Sequence, residues 1–457
     1  MSRIGGWTLR AVWALLLFPP LLAAEDWPQW RGPQGQGVSS ETGLPVRWSA
    51  EQNLAWKARL AGTGVSSPVV WGDQVIVTSQ TGRAHKAGGS FPLLARDDST
   101  LAERENPIGG AASASGDVFL VVEAFSRAGG KRLWEHRVKA SGELPDLHEK
   151  HNLATPTPVV DGERVYALFG TGQLVALDLK GREVWTRHLG LEISPFRTAW
   201  GHGSSPVLYG ETLILLCDHQ PRSYLLALDR RTGKQVWLAD RGKGRVSHST
   251  PLVVRGPNGD ELIVNSSARI DAYDPATGKL LWYAGSERQT PIPSAVFSDG
   301  VIYLSRGYRN SDYLALRPGG TGDVSGSHVL WRTPSGASYV PSIVVYDGLI
   351  YMTNEIGVVT CADAKTGTPV WRRRLDGVFF ASPVAGDGKI YMVSETGTTF
   401  VLRAGRQPEV LAENDLGERL LASPAISNGC LYLRSDGTLF AVKQPSLAQN
   451  VLGKEGS

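Results

Sequence analysis

The stretch LLALDRRTGKQVW, residues 225–237, consists of an apolar run, an Asp, a turn and a Trp. Variants recur as AYDPATGKLLW at 272–282, CADAKTGTPVW at 361–371 and the shorter VALDLKGREVW at 175–185. A second phrase runs with it: Ser/Thr-Pro, a few apolar residues, an Asp/Gly turn, then a Tyr- or Ile-rich run. It begins at Ser66, Thr155, Ser204, Ser249, Pro293, Val340, Ala381 and Ala422, which makes eight copies. Their spacing is about 45 residues, except for a first interval roughly twice as long. Short alternating apolar runs broken by Gly and Asp are strands joined by hairpins. Four such strands per unit, repeated eight times, predict an all-β fold, an eight-bladed β-propeller of four-stranded antiparallel blades.

One blade cannot bury both faces of its sheet, so neighbouring blades must stack. The Trp opening each outer strand (Trp134, Trp185, Trp237, Trp282, Trp331 and Trp371) is read as an indole lying against the next blade, a structural rather than a ligand-binding role. The Asp and Gly before it set the hairpin, by side-chain bonding to the turn backbone and by accepting positive φ. The seventh unit has Leu411 where Trp is expected, and the eighth ends without an outer Trp strand. The segment from Leu54 to Leu60, with Trp56, supplies the missing strand, so the chain's start is predicted to complete blade eight and leave no open edge. The expected organisation is an export signal over 1–24, a leader over 25–53, the propeller over 54–443 and a tail over 444–457.

The bulk numbers agree with this reading. Length is 457 residues, charged residues are 20%, and the net charge of +3 carries no block of like sign, which argues against a nucleic-acid partner. The opening MSRIGGWTLRAVWALLLFPPLLAAED has Arg3 and Arg10 flanking a basic start, a short apolar core from Ala11 to Phe18, then Ala23-Ala24, as export signals do. That core is too short to span a bilayer of ~30 Å. A periplasmic or secreted protein with no membrane span is expected, and no Cys stands near the cleavage point to form a lipobox. Cys217, Cys361 and Cys430 fall in different units and are expected to be buried free thiols.

The full phrase Ala-x-Asp-x-x-x-Gly-x-x-x-Trp, met at 227–237 and 272–282, resembles the tryptophan-docking motif of the PQQ-like (quinoprotein-type) propeller family. Cys361 replaces its Ala in one copy and Ser126 its Asp in another. The family includes the quinoprotein alcohol dehydrogenases, which use PQQ with calcium, and the BamB-like outer-membrane assembly propellers. The leader DWPQWRGPQGQG at 26–37 is similar to the start of exported PQQ-like repeat proteins. The resemblance carries the fold and says little about activity. No two Cys are adjacent and no Cys-x-x-Cys-His is present, so two features of quinoprotein enzymes are missing.

In such blades the D–A and B–C connections share one face, and the A–B and C–D turns share the other. The C–D face is repetitive and polar, as a plain solvated surface would be. The D–A/B–C face carries the irregularities, including a long B–C insertion in blade one over 81–116. His148, His151, Arg197, Trp200, His202, Arg245, His248, Tyr339 and Phe380 all precede innermost strands on that face and are the candidate ligand-binding residues of a channel mouth. His151, His202 and His248 are the candidate ligands should a metal bind there. No catalytic residue is assigned: the chain lacks a phosphate loop, a zinc-protease His-Glu motif and a nucleophile elbow. The expected function is an exported, non-catalytic binding or scaffolding module for a protein or carbohydrate partner on the irregular face. The alternatives are a PQQ-dependent dehydrogenase acting on alcohols or sugars and, more remotely, a metal-dependent hydrolase or lyase.

Overall fold

The computed structural model describes residues 25–82, 117–145, 147, 150–198, 200–243, 245–285, 291–307 and 312–444. The expected export signal and tail, His148 and most of the segment 81–116 lie outside these. Among the described residues there are eight antiparallel sheets in a ring, and their strands are named A to D from the channel outwards. Blade 1 is built from Val69–Trp71, Gln74–Thr81, Phe119–Ser126 and Arg132–Lys139, so residues 82–118 stand between its B and C strands. Blade 8 takes its inner strands from Ala425–Ser427, Cys430–Arg434 and Thr438–Lys443, and its outer strand from Leu54–Arg59. Trp56 pairs with Ala441 and Arg59 with Thr438, which closes the circle.

The repeated phrase can now be read residue by residue. Its Ala on strand C stands directly opposite the Trp on strand D: Ala124 to Trp134, Ala176 to Trp185, Ala227 to Trp237 and Ala315 to Trp331. A small residue there lets the indole lie across strand C and reach strand B, where Tyr166, Tyr303 and Tyr351 meet Trp185, Trp331 and Trp371. The Asp carboxylate accepts turn N–H groups, as Asp229 does from Arg231 and Thr232. The Gly sits on the Trp of the preceding blade. A Cβ added to Gly233, whose φ is +70°, would lie 2.8 Å from the Trp185 ring, and Gly181 and Gly367 are as tight against Trp134 and Trp331. Each indole N–H then donates to a carbonyl in that next hairpin, for example Trp185 to Arg230 and Trp331 to Ala364.

Two blades depart from this scheme. In blade 4 the Trp282 N–H donates to Glu261 of its own sheet, because the next C–D connection is not a short hairpin. That connection returns as Gly322–Asp323, a fifth strand parallel to Leu280–Ala284. In blade 7 the position in register with Trp is Ala412, opposite Val401, and not Leu411 as the sequence spacing implied. The physical reason lies in closure: blade 8 receives its outer strand from the N-terminus and so has no C–D hairpin to offer a Gly. Instead Trp48 of the leader, 5% exposed, packs at 6.4 Å on Tyr391 of strand B, where a blade-7 Trp would lie. Its backbone N–H donates to Asn414 Oδ1 of strand D at 2.9 Å.

The leader also corrects the expectation of a plain solvated C–D face. Trp27 exchanges both backbone hydrogen bonds with Val70 of blade 1, Val160 of blade 2 donates to the Pro28 carbonyl, and Ala385 of blade 7 donates to that of Gly37. These contacts all fall where strand A runs into its A–B turn. The segment therefore crosses the channel at that end, and Arg31 reaches over to the Ile343 carbonyl of blade 6 at 2.6 Å. Cys217, Cys361 and Cys430 are free and buried in three different blades.

Candidate ligand site at the channel mouth

The Ser/Thr of the Ser/Thr-Pro phrase lies where each strand A begins, and its side chain ties blade to blade. The N–H of Ser67 donates to Thr157 Oγ1, that of Thr157 to Ser205 Oγ, and that of Ser205 to Thr250 Oγ1, at 2.9–3.0 Å. Thr250 continues to Ser294, Ser294 to Ser342, Ser342 to Ser382 and Ser382 to Ser423, at 2.7–2.9 Å. Seven successive links thus form a collar around the channel. Proline follows each of these residues, apart from Ser294 and Ser342, and keeps the backbone extended there.

Above the collar, on the D–A/B–C side, lies a cavity of about 240 Å³. Its lining brings together five sequence candidates: His151, Trp200, His248, Tyr339 and Phe380. Trp30 of the leader reaches it from the opposite end, so the leader forms part of its floor. Lys150 stands at the wall with its ammonium 3.9 Å from the centre of the Phe380 ring and 2.8 Å from Glu395 of blade 7, which also holds Arg419. Those two cations keep the Glu395 carboxyl below its ordinary range, although burial pushes the other way. Glu355, in the B–C turn of blade 6, also lines the cavity.

Arg197, Arg245 and His202 do not line this cavity. Arg197 holds Glu143 in a two-pronged, half-exposed ion pair. Arg245 joins a buried network in which Asp271 accepts from Arg241, Arg245 and Arg269, while Arg241 also grips Asp218 through two bonds. His202 lies beneath the surface against Phe196, which also stacks on His219 at 4.3 Å. Burial, helped by the imidazoles around it, pushes the His202 pKa well below 6.5. Burial likewise brings His219 and His248 down to about 4. The His151 and His248 rings are 6.3 Å apart, and among the described residues no three His, Cys, Asp or Glu side chains converge as a metal-ligand group.

Sequence reading missed Trp30, Lys150 and the collar. In the sequence the collar shows as an eightfold repeated Ser/Thr, which is indistinguishable there from strand punctuation. Trp30 gave no signal, because nothing in the leader shows which end of the channel it enters.

The match to known proteins fits this architecture. Residues 119–371 and 323–442 match the family model described as outer membrane protein assembly factor BamB. The chain is 26% identical over 280 residues to outer membrane protein assembly factor BamB of Shewanella oneidensis, covering 58% of this chain and 65% of that protein. It is 26% identical over 193 residues to the BamB of Moranella endobia, covering 40% of this chain and 46% of that one. It therefore spans less than two thirds of the length of these relatives. Among solved structures, the quinohemoprotein alcohol dehydrogenase of Comamonas testosteroni superposes with a TM-score of 0.59 at 15% identity, covering 92% of this chain and 81% of that one; at this identity the likeness concerns the fold alone. With the family model matched over well above half its length, the chain belongs to the PQQ-like propeller family of outer membrane protein assembly factor BamB.

Proposed function

We propose that the chain is an exported, non-catalytic scaffold that binds a protein partner through the D–A/B–C face. The observation that carries this reading is the asymmetry of the two faces. One end of the channel is crossed by the chain's own leader, while the other opens into an aromatic-lined cavity between irregular loops. The names of the relatives, assembly factors of the outer membrane, support a protein as the partner and the periplasm as the compartment. A carbohydrate is the weaker reading, since it rests only on Trp200, Tyr339 and Phe380 as stacking surfaces.

The residues present do not fit PQQ with calcium. Among the described lining residues Glu355 is the one carboxylate, and the three cysteines are buried apart in separate blades. The test is site-specific photo-crosslinking in the producing cell, with the reactive residue placed at Tyr339 on the mouth or at Lys365 on the opposite face. A discrete protein adduct from the first position alone is expected. Adducts from Lys365 alone, or equally from both, would refute the assignment of the face.

A further inference from the structure

We infer that the mouth cavity holds a site for an organic cation, an ammonium or guanidinium, beside Glu355, and that its occupant is a lysine or arginine side chain of the protein partner. The site stands on the lining of the cavity; the source of the cation rests on the reading of the mouth as the partner-binding face.

The collar hydroxyls set no sign of charge. Each oxygen accepts one N–H of the preceding blade, which leaves it one lone pair and one proton. The ionised groups do set one. Lys150 in the lining is answered at 2.8 Å by Glu395, and Arg419 lies between Glu395 at 2.7 Å and Asp436 at 3.7 Å. Glu355 adds a third carboxylate to these two cations, and among the described residues its side chain has neither an ion pair nor a hydrogen bond. The described lining residues and their ion-pair partners therefore carry one uncompensated negative charge.

The walls favour the same sign. Glu355 sits in the B–C turn of blade 6, between Leu349–Thr353 and Val358–Asp363, and its carbonyl accepts the Phe379 N–H at 3.2 Å. That bond sets the turn against the segment bearing Phe380, and Tyr339 lies on the D–A connection into the same blade. The rings of Tyr339, Phe380 and Trp200 wall one space. Aromatic faces attract cations, and one is already seated there: the Lys150 ammonium lies 3.9 Å from the centre of the Phe380 ring. His248, also in the lining, supplies a neutral acceptor. It is 9% exposed, and its Nε2 is buried without a hydrogen-bond partner. Its ring bonds the Gly201 backbone through the other nitrogen, which leaves the lone pair on Nε2, and burial holds its pKa at about 4. An anion would meet Glu355 head-on, and a neutral polyol would leave that charge unanswered. A cation bearing N–H groups answers Glu355 and can also donate to His248 and the collar oxygens.

The test titrates the full chain at neutral pH with n-butylammonium, n-butanol, butyrate and methyl glucoside, read by saturation-transfer NMR of the small molecule. Butylammonium should bind about tenfold more tightly than butanol, butyrate should not bind, and added salt should narrow the difference. Glu355→Gln should weaken butylammonium by about tenfold and leave butanol unchanged. Tyr339→Leu, which keeps the carboxylate, should weaken it by about threefold and serves if Glu355→Gln fails to fold. Butanol or butyrate binding as tightly as butylammonium overturns the site, as does an unchanged affinity in Glu355→Gln. Tighter binding of the glucoside overturns it in favour of a saccharide. Saturating butylammonium should also suppress the protein adduct formed from position 339. An adduct that it leaves untouched overturns the assignment to a partner's side chain. Absence of any adduct refutes the partner reading alone, and the titration still decides the site.

Discussion

The replacement of a missing blade-7 Trp by leader residue Trp48 makes a sharp prediction. Trp48→Ala removes an indole that is 5% exposed and packed on Tyr391. Truncation of a buried aromatic costs about 3–5 kcal/mol. The propeller runs from Leu54 to Lys443, a span of 390 residues. At about 2.1 cal/mol/K per residue its unfolding entropy is about 0.8 kcal/mol/K, so the melting midpoint should fall by about 4–6 °C. Calorimetry at one scan rate reads this directly. Unlike the Nε1 of Trp185 or Trp331, that of Trp48 is buried without an acceptor, so Trp48→Phe loses area but no hydrogen bond and should cost only about 1 kcal/mol. Ala412→Trp should destabilise the parent, because Trp48 already fills the space, yet recover part of the loss in a Trp48→Ala background. A Trp48→Ala midpoint within about 1 °C of the parent would refute the idea that the leader anchors blade 7.

Gly233→Ala places a methyl 2.8 Å from the Trp185 ring at φ +70°, and should cost more than about 1 kcal/mol by thermal melting, whereas the exposed Gly210, with open space around it, should respond less. Buried His219 and His248 have pKa values of about 4, below the ordinary 6.5. The unfolded chain therefore takes up their protons first as pH falls. Their stabilising contribution is complete above pH 6.5 and is lost between 6.5 and about 4, so denaturant midpoints should drop across that window and flatten in His219→Phe, which keeps the contact with Phe196. Arg197→Ala should change stability by less than about 1 kcal/mol, since its pair with Glu143 is half exposed.

Blade count, closure by the N-terminal strand and the Trp positions were legible because they follow from nearest-neighbour rules that repeat. Ala opposite Trp, Asp over its turn and Gly beneath the preceding indole recur at most of the junctions between blades. What failed were the places where the repeat is interrupted. Spacing puts Leu411 at the Trp position, because spacing cannot register a strand after an irregular turn, whereas pairing with Val401 selects Ala412. The mouth was half legible. His151, Trp200, His248, Tyr339 and Phe380 all line the cavity, since any residue just before strand A lies near the axis. Arg197, Arg245 and His202 satisfy the same rule but find Glu143, Asp271 and Phe196 on the way. Only side-chain partners, which no spacing rule encodes, separate the two groups.

That separation also explains why the family motif constrains the fold so firmly and the ligand so loosely. Every residue of the Ala-Asp-Gly-Trp phrase acts between blades, at the outer strands and at the C–D turns, far from the axis. The inner collar is equally indifferent to what enters the channel, because each N–H needs only a hydroxyl oxygen and any Ser or Thr provides one. The D–A loops, which bear neither duty, are free to vary, and the mouth takes its character from them. The leader removes the remaining freedom at the other end. By pairing with blades 1, 2 and 7 and seating Trp48 beside blade 7, it turns an open tube into a pocket with a floor. Ring stability and pocket depth thus share one segment, so substitutions in residues 26–48 should alter both together, while substitutions at Tyr339 or Phe380 should alter the pocket alone.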